Sequence, residues 1–342
     1  MQYKDQQDIL NFEKINDLLA GMPGYTRYLV EEYKANRSSS RTILGYVRDL
    51  DTFFYFLETE KNIPAKNISL TDLESVSPLD LTAYKSFLSY YKRNGKIRKN
   101  GIKASNRKLI ALRQFYRFLF RMDLIHDDPT KKLTLISDKD ERDSHEIQIL
   151  TKTQVADFLN TAETGDGLTD NQKKYNKDNE LRDIAILEVF LNTGIRISEL
   201  VGLNLQDISF DEDAMFVVRK GHAKAQKIHF NQRVREALSH YISDGRKESE
   251  MDPEALFISR RGQRITVRSV ERLVAKYSQA AGLGHSTAHK LRRSYGTGLY
   301  DATSDIFAVS ERLGHKNIET AKKHYVRASE EKDIENGSLE VF

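Results

Sequence analysis

Apolar residues recur at helical spacing through most of the first 130 positions. The stretch 9–22 reads as a helix stopped at Pro23, and a second follows over 25–35. Ser38, Ser39 and Ser40 offer an N-cap for a long helix carrying Ile43, Tyr46, Val47, Leu50, Phe53, Phe54 and Phe56. Pro64 breaks the chain, and Thr71 and Pro78 sit near the starts of two more helices. Leu109, Leu112, Phe115, Tyr116, Leu119 and Phe120 predict an amphipathic helix over 105–122. Residues 1–130 therefore read as a domain that is helical throughout.

The polar, highly charged tract that follows reads as a linker over 131–149. Residues 150–342 read as a second domain of mixed type. A helix is expected over 151–161, a Gly/Asp/Asn/Lys-rich loop over 163–179, and an apolar helix over 181–191 that ends at Asn192-Thr193-Gly194. Two short strands, 214–219 and 226–230, flank a basic hairpin at Lys220-Gly221-His222-Ala223-Lys224. Helices resume over 231–242, 266–281, 287–299 and 305–313. The fold class expected is mainly α with a small β-hairpin or sheet, in two domains.

Composition narrows the function classes. The chain has 342 residues and no cysteine, which excludes disulfide scaffolds, cysteine-ligated zinc, iron–sulfur clusters and thiol catalysis. No run of eighteen apolar residues and no apolar signal core at the polar N-terminus is present, so a cytoplasmic protein without a membrane partner is expected. The net charge of +4 is modest, but its distribution is not. Lys92, Arg93, Lys96, Arg98, Lys99, Lys103, Arg107, Lys108, Arg113, Arg117 and Arg121 follow one another with no Asp or Glu between them. A solvated helix face usually mixes signs. The unmixed block points instead to a polyanion, and Lys92 to Arg113 are the candidate DNA-contacting residues.

Four clusters in the second domain could carry chemistry. In Thr193-Gly194-Ile195-Arg196-Ile197-Ser198-Glu199-Leu200, the three-residue spacing lets Glu199 hold the Arg196 guanidinium, although alone it is an ordinary surface pair. In Arg219-Lys220-Gly221, the lysine beside a hairpin glycine could reach a phosphate or give a proton to a leaving oxygen; alone it is a solvated turn lysine. In His289-Lys290-Leu291-Arg292-Arg293-Ser294, His289 and Arg292 share a face near a helix N-terminus, with no second ligand at zinc spacing. In Leu313-Gly314-His315-Lys316-Asn317-Ile318, His315 stands at a helix break, and Tyr325 follows among Lys322, Lys323, His324 and Arg327. That cationic setting favours phenolate over phenol. Two arginines, a lysine, two histidines and a tyrosine without metal ligands suit phosphoryl transfer on a DNA backbone, with positive side chains in the place of a metal ion.

In this order and spacing the motifs resemble the tyrosine recombinases, the phage-integrase and Xer family. The resemblance covers the second domain nearly completely and the first, similar to the family's core-binding (SAM-like) domain, more loosely. Segments at Met22-Pro23-Gly24-Tyr25, Arg272-Leu273-Val274-Ala275-Lys276-Tyr277 and His289-Lys290-Leu291-Arg292 resemble the XerS type, which works without a second Xer partner in some Gram-positive bacteria. The resemblance implies a C-shaped clamp on DNA. It implies that Tyr325 attacks the scissile phosphate to give a 3′-phosphotyrosyl link, and that Arg196 and Arg292 clamp the phosphate. Lys220 would be the acid for the 5′-oxygen, His289 the base for the tyrosine, His315 a phosphate hydrogen-bonder and Glu199 a support for the arginines. It implies no cofactor, no metal and no ATP. Four protomers on two inverted-repeat sites and an exchanged tail over 326–342 also follow from it, as does a nucleoid-associated location. Arg293 stands where many members have histidine, and the gap from His315 to Tyr325 is one residue longer than in some Xer proteins.

The expected function is Xer-like site-specific recombination, such as chromosome dimer resolution. One alternative is the integrase of a phage or conjugative element, but the residues before Ser38 read as two helices rather than a stranded arm-binding domain. A type IB topoisomerase uses similar residues, yet the two-domain layout and the tail favour recombination. A DNA-binding protein that no longer cleaves would not need every catalytic position filled.

Overall fold

In a computed structural model, the described residues are 3–137, 149–219, 224–314, 317–322 and 325. The chain divides into two compact units, Met1–Ser144 and His145–Phe342. Among the described residues, no helix is long and apolar enough to cross a membrane.

The first unit contains α1 (Tyr3–Ala20), α2 (Thr26–Ala35), α3 (Ser40–Lys61), α4 (Leu70–Glu74), α5 (Pro78–Ser89), β1 (Tyr91–Arg93), β2 (Lys96–Arg98) and α6 (Ile102–Arg121). The centre is α3. Ser39 caps it by accepting a hydrogen bond from the Thr42 amide, and Asn62 ends it in the left-handed region at φ 54°. Ile43, Val47, Leu50, Phe53, Phe54 and Leu57 are buried along its inner face. Phe53 meets Tyr84 of α5 edge-on at 5.1 Å and Tyr116 of α6 at 6.2 Å between ring centres. From α6, Leu109, Leu112, Phe115, Tyr116 and Leu119 fill the same core.

Two expectations change here. The unit is not all helical: β1 and β2 form an antiparallel hairpin in the register Tyr91↔Arg98, Lys92↔Ile97, Arg93↔Lys96. Its turn is Asn94-Gly95, both at positive φ (52° and 72°), the backbone that a two-residue hairpin turn requires. Strands of three residues are too short to show a period, so only the Asn-Gly pair could have revealed them. The segment 131–137 is also part of this unit rather than a free connector. Leu133 is buried in the core, and the Ile136 amide donates to Asn106 Oδ1 at 2.8 Å.

The second unit contains α7 (Lys152–Thr164), α8 (Asp170–Asn176), α9 (Glu180–Thr193), α10 (Ile197–Gly202), β3 (Ile208–Ser209), β4 (Ala214–Val217), β5 (Gln226–His229), α11 (Gln232–His240), α12 (Val267–Ala280), α13 (Ala288–Thr303), α14 (Ile306–Leu313) and α15 (Ile318–Ala321). Helix α9 is buried on nearly all sides and packs against α7, α11 and α13. The strands form one antiparallel sheet in the order β3-β4-β5, with Val217↔Gln226 the last pair of the β4–β5 ladder. The expected loop 163–179 contains α8, started by a reciprocal cap between Thr169 and Gln172. Buried Asn176 at its end accepts hydrogen bonds from Lys276 Nζ and Tyr277, which also bond Asp183.

The basic block of the first unit does not lie on one face. Lys108 points inward, 8% exposed, and pairs with buried Asp49 at 3.0 Å. Arg107, exposed, reaches the same Asp49 oxygen at 2.8 Å. Losing one partner of a buried ion pair strands the other charge. Asp49→Ala should therefore cost the unit about 3 kcal/mol, whereas Asp51→Ala, at a half-exposed pair with Arg93, should cost less than about 1 kcal/mol. Hydrogen exchange at the α3 and α6 core amides would measure both; equal effects would refute the distinction.

Candidate active site

Three arginines of the second unit converge on one helix end. Helix α14 starts at Asp305, whose carboxylate accepts from the Phe307 and Ala308 amides, and stops at Gly314 in the left-handed region at φ 62°. A helix C-terminus leaves its last carbonyls without intrahelical donors and carries a partial negative charge. Arg219, two residues beyond β4, donates to the Glu311 carbonyl at 3.1 Å and the Arg312 carbonyl at 2.5 Å. Arg292 of α13 donates to the Leu313 carbonyl and to the Gly194 carbonyl. Arg196 donates to the Gly314 carbonyl at 3.1 Å.

Local sequence explains how each is aimed. Gly194 closes α9 at φ 61°, and a Cβ there would sit 2.7 Å from Leu313 Cδ2. The turn puts Arg196 at the N-cap of α10. Glu199, buried three residues later, accepts from the Arg196 amide and from its Nη1, both at 2.8 Å. Glu199 is thus a cap and a guanidinium clamp in one. A guanidinium has five N–H donors, and in both Arg196 and Arg292 the two Nη atoms are engaged by different acceptors.

Tyr325 lies 3% exposed in a small core with Val309 and Leu313. Its ring rests on Gly296, where a Cβ would lie 2.6 Å from Tyr325 Cε1. Gly296 is one helical turn beyond Arg292 on α13, so the phenol and that guanidinium share a helix face. His289 is exposed in the first turn of the same helix, three residues before Arg292.

Burial, and then the nearby Arg196, push Arg292 down to about 10, so it remains a cation at neutral pH. Burial also lowers Arg219, with Glu199 opposing and Arg196 and Arg312 adding to it. For Tyr325, burial raises the pKa, and Arg292, Arg293 and Arg196 only partly offset it. The expectation of a phenolate is therefore overturned: at neutral pH Tyr325 is a neutral phenol, because desolvation outweighs the surrounding cations.

Of the expected catalytic set, the structure brings together Arg196, Glu199, Arg292 and Tyr325, with His289 on the Arg292 helix. Lys220, His315 and the tail 326–342 lie outside the described residues. Arg219 was missed as a participant. Its only sequence signal is a charge directly after an apolar strand, and that reads as a hairpin residue. In the first unit, Lys92, Lys96, Arg98, Lys99, Lys103 and Arg107 are exposed. Arg93 pairs with Asp51 and stacks on Tyr55 at 4.6 Å, Arg113 bonds the Leu133 carbonyl, and Lys108 is inside.

The Phage integrase family matches residues 148–332, and the phage integrase N-terminal SAM-like domain matches residues 24–123. The tyrosine recombinase XerC of Caldanaerobacter subterraneus subsp. tengcongensis is 35% identical over 298 residues, covering 83% of this chain and 77% of that protein. XerC of Neisseria meningitidis serogroup B is 28% identical over 310 residues, covering 89% and 91%. Among solved structures, XerH bound to palindromic difH substrate in a post-cleavage complex aligns with a TM-score of 0.65 at 20% identity, over 99% of this chain and 90% of that one. The Tn1549 transposon integrase in complex with circular intermediate DNA aligns at 0.62 and 21% identity, over 89% and 95%. At these identities the two structures share the fold.

Gly194 combines a left-handed φ with a crowded Cβ position and a carbonyl that holds Arg292. Gly194→Ala should destabilise the second unit by about 1–2 kcal/mol. A displaced guanidinium should slow single-turnover phosphodiester cleavage by about a hundredfold. Thermal unfolding and cleavage of a nicked DNA site would measure the two effects; wild-type cleavage would show that the turn does not place Arg292.

Proposed function

The chain belongs to the phage integrase family as a tyrosine recombinase of the Xer type, a site-specific DNA recombinase, and we propose that the residues gathered at the end of α14 carry out its strand cleavage. The observation that carries this reading is the pairing of Arg196 and Arg292 around a helix end that Tyr325 packs against.

The Tyr325 hydroxyl attacks the scissile phosphorus, forming an O–P bond to the tyrosine as the P–O5′ bond breaks. The products are a 3′-phosphotyrosyl link and a free 5′-hydroxyl. The phenol is neutral, so it must give up its proton in the step, and His289 is the base assigned to take it. Lys220 supplies the proton to the departing 5′-oxygen, a poor leaving group without one. Arg196 and Arg292 bind the non-bridging oxygens, whose charge grows in the transition state, and His315 adds a hydrogen bond. Glu199 fixes Arg196 in advance, so little reorganisation is needed when the phosphate arrives. A 5′-hydroxyl from the partner strand then attacks the phosphotyrosyl bond and restores the DNA backbone. The bond energy is kept throughout, so the cycle needs no ATP.

The DNA is proposed to be a duplex site of inverted repeats, two such sites holding four protomers. The exposed basic residues of the first unit supply non-specific affinity. Exposure supports the hairpin residues Lys92, Lys96, Arg98 and Lys99, with Lys103 at the start of α6, as contributors over Lys108 and Arg113, which bond within the unit. An Xer role is favoured over a mobile-element integrase, because XerC proteins match along most of both chains.

Tyr325→Phe removes only the hydroxyl, so it should abolish the covalent protein–DNA adduct and keep DNA binding; an adduct in denaturing gels would refute the nucleophile. Sulfur at the 5′-bridging position leaves without a proton. It should restore much of the cleavage lost in Lys220→Ala, none of that lost in Tyr325→Phe, and little in Arg196→Ala or Arg292→Ala. Replacing Lys96, Arg98, Lys99 and Lys103 by Ala should flatten the plot of log affinity against log salt by about 0.9 for every phosphate that is no longer neutralised. An unchanged slope would show that the hairpin faces solvent.

A further inference from the structure

The reaction above gives Arg219 no part, although it is 3% exposed and sits among the phosphate-binding arginines. Placing it there is costly. A guanidinium is desolvated beside like charges, and its Nε is buried with no hydrogen-bond partner among the described residues. An apolar side chain could fill the space without that cost. Nor is it turned toward a phosphate, since both Nη atoms donate to the carbonyls of Glu311 and Arg312.

Its position in the chain shows what it secures. The β4–β5 ladder ends at Val217↔Gln226, and Val218 is 60% exposed, so the backbone has left the sheet before the hairpin tip. Arg219 is the next buried side chain, and Lys220 follows it directly. The carbonyls it grips belong to the last turn of α14, which leads through Gly314 into His315. Gly314 admits the contact: a Cβ there would lie 2.8 Å from both Cδ and Cζ of Arg219.

We propose that Arg219 is a positioning residue for the leaving-group acid: by holding the carbonyls of Glu311 and Arg312 it fixes the hairpin arm that carries Lys220 to the helix end that carries His315. This rests on the reading of Lys220 as the acid. A single-point contact from lysine would hold the arm less well than the two-pronged guanidinium.

The test uses the full-length protein on nicked DNA sites with oxygen or sulfur at the 5′-bridging position. Arg219→Met should bind DNA as the parent does and cleave the ordinary site at least about a hundredfold more slowly. It should regain most of that rate on the sulfur site, as Lys220→Ala does, because a sulfur leaving group needs no placed acid. Arg219→Lys should be slowed less and rescued in the same sense, and it carries the comparison if Arg219→Met does not fold. A residue that merely supported the fold would slow both substrates equally. Equal slowing in either variant, with Lys220→Ala rescued, overturns the inference, as does parental cleavage of the ordinary site by Arg219→Met. If Lys220→Ala is itself not rescued, the acid assignment fails first and this inference falls with it.

Discussion

A helix end whose carbonyls face the protein interior must find donors there, and in the second unit those donors are arginines. Glu311, Arg312, Leu313 and Gly314 each accept a hydrogen bond from Arg219, Arg292 or Arg196. The arrangement satisfies both sides. The carbonyls and the negative end of the helix dipole offset cations that would otherwise repel one another in a desolvated place. Glu199 is the nearby carboxylate that completes the balance. The arginines are therefore held in place by the protein's own acceptors.

The same desolvation governs Tyr325. A tyrosine surrounded by arginines in water would ionise readily, but Tyr325 is packed on Gly296 among apolar side chains, and the phenol stays protonated. His289 lies on the same helix as Gly296, three residues before Arg292. Glycines at 194, 296 and 314 are what allow these parts to approach so closely, since a Cβ at any of them would meet another part of the site.

In the first unit a comparable sorting of charge takes place. Asp49 draws Lys108 inward and Arg107 toward itself, and Asp51 holds Arg93 against Tyr55. Positive charge is thus left outward mainly on the short hairpin and the first turn of α6. A block that is continuous in sequence becomes a smaller surface with anchored flanks.

The helices that carry a clear apolar face, such as α3, α6 and α12, were legible in the sequence, and so were the motifs of Arg196, Glu199, Arg292 and Tyr325, which the structure brings together. Their motifs are local, and local spacing is visible in one dimension. The rest came from packing. The hairpin at Asn94-Gly95 and helix α8 were hidden because three-residue strands and a seven-residue polar helix show no hydrophobic period. The inward turn of Lys108 depends on Asp49, which lies 59 residues away. The protonation of Tyr325 depends on burial, and the use of Arg219 depends on carbonyls 92 and 93 residues along the chain. Side-chain type and spacing are written in sequence, whereas desolvation and hydrogen bonds to distant backbone exist only once the chain has packed.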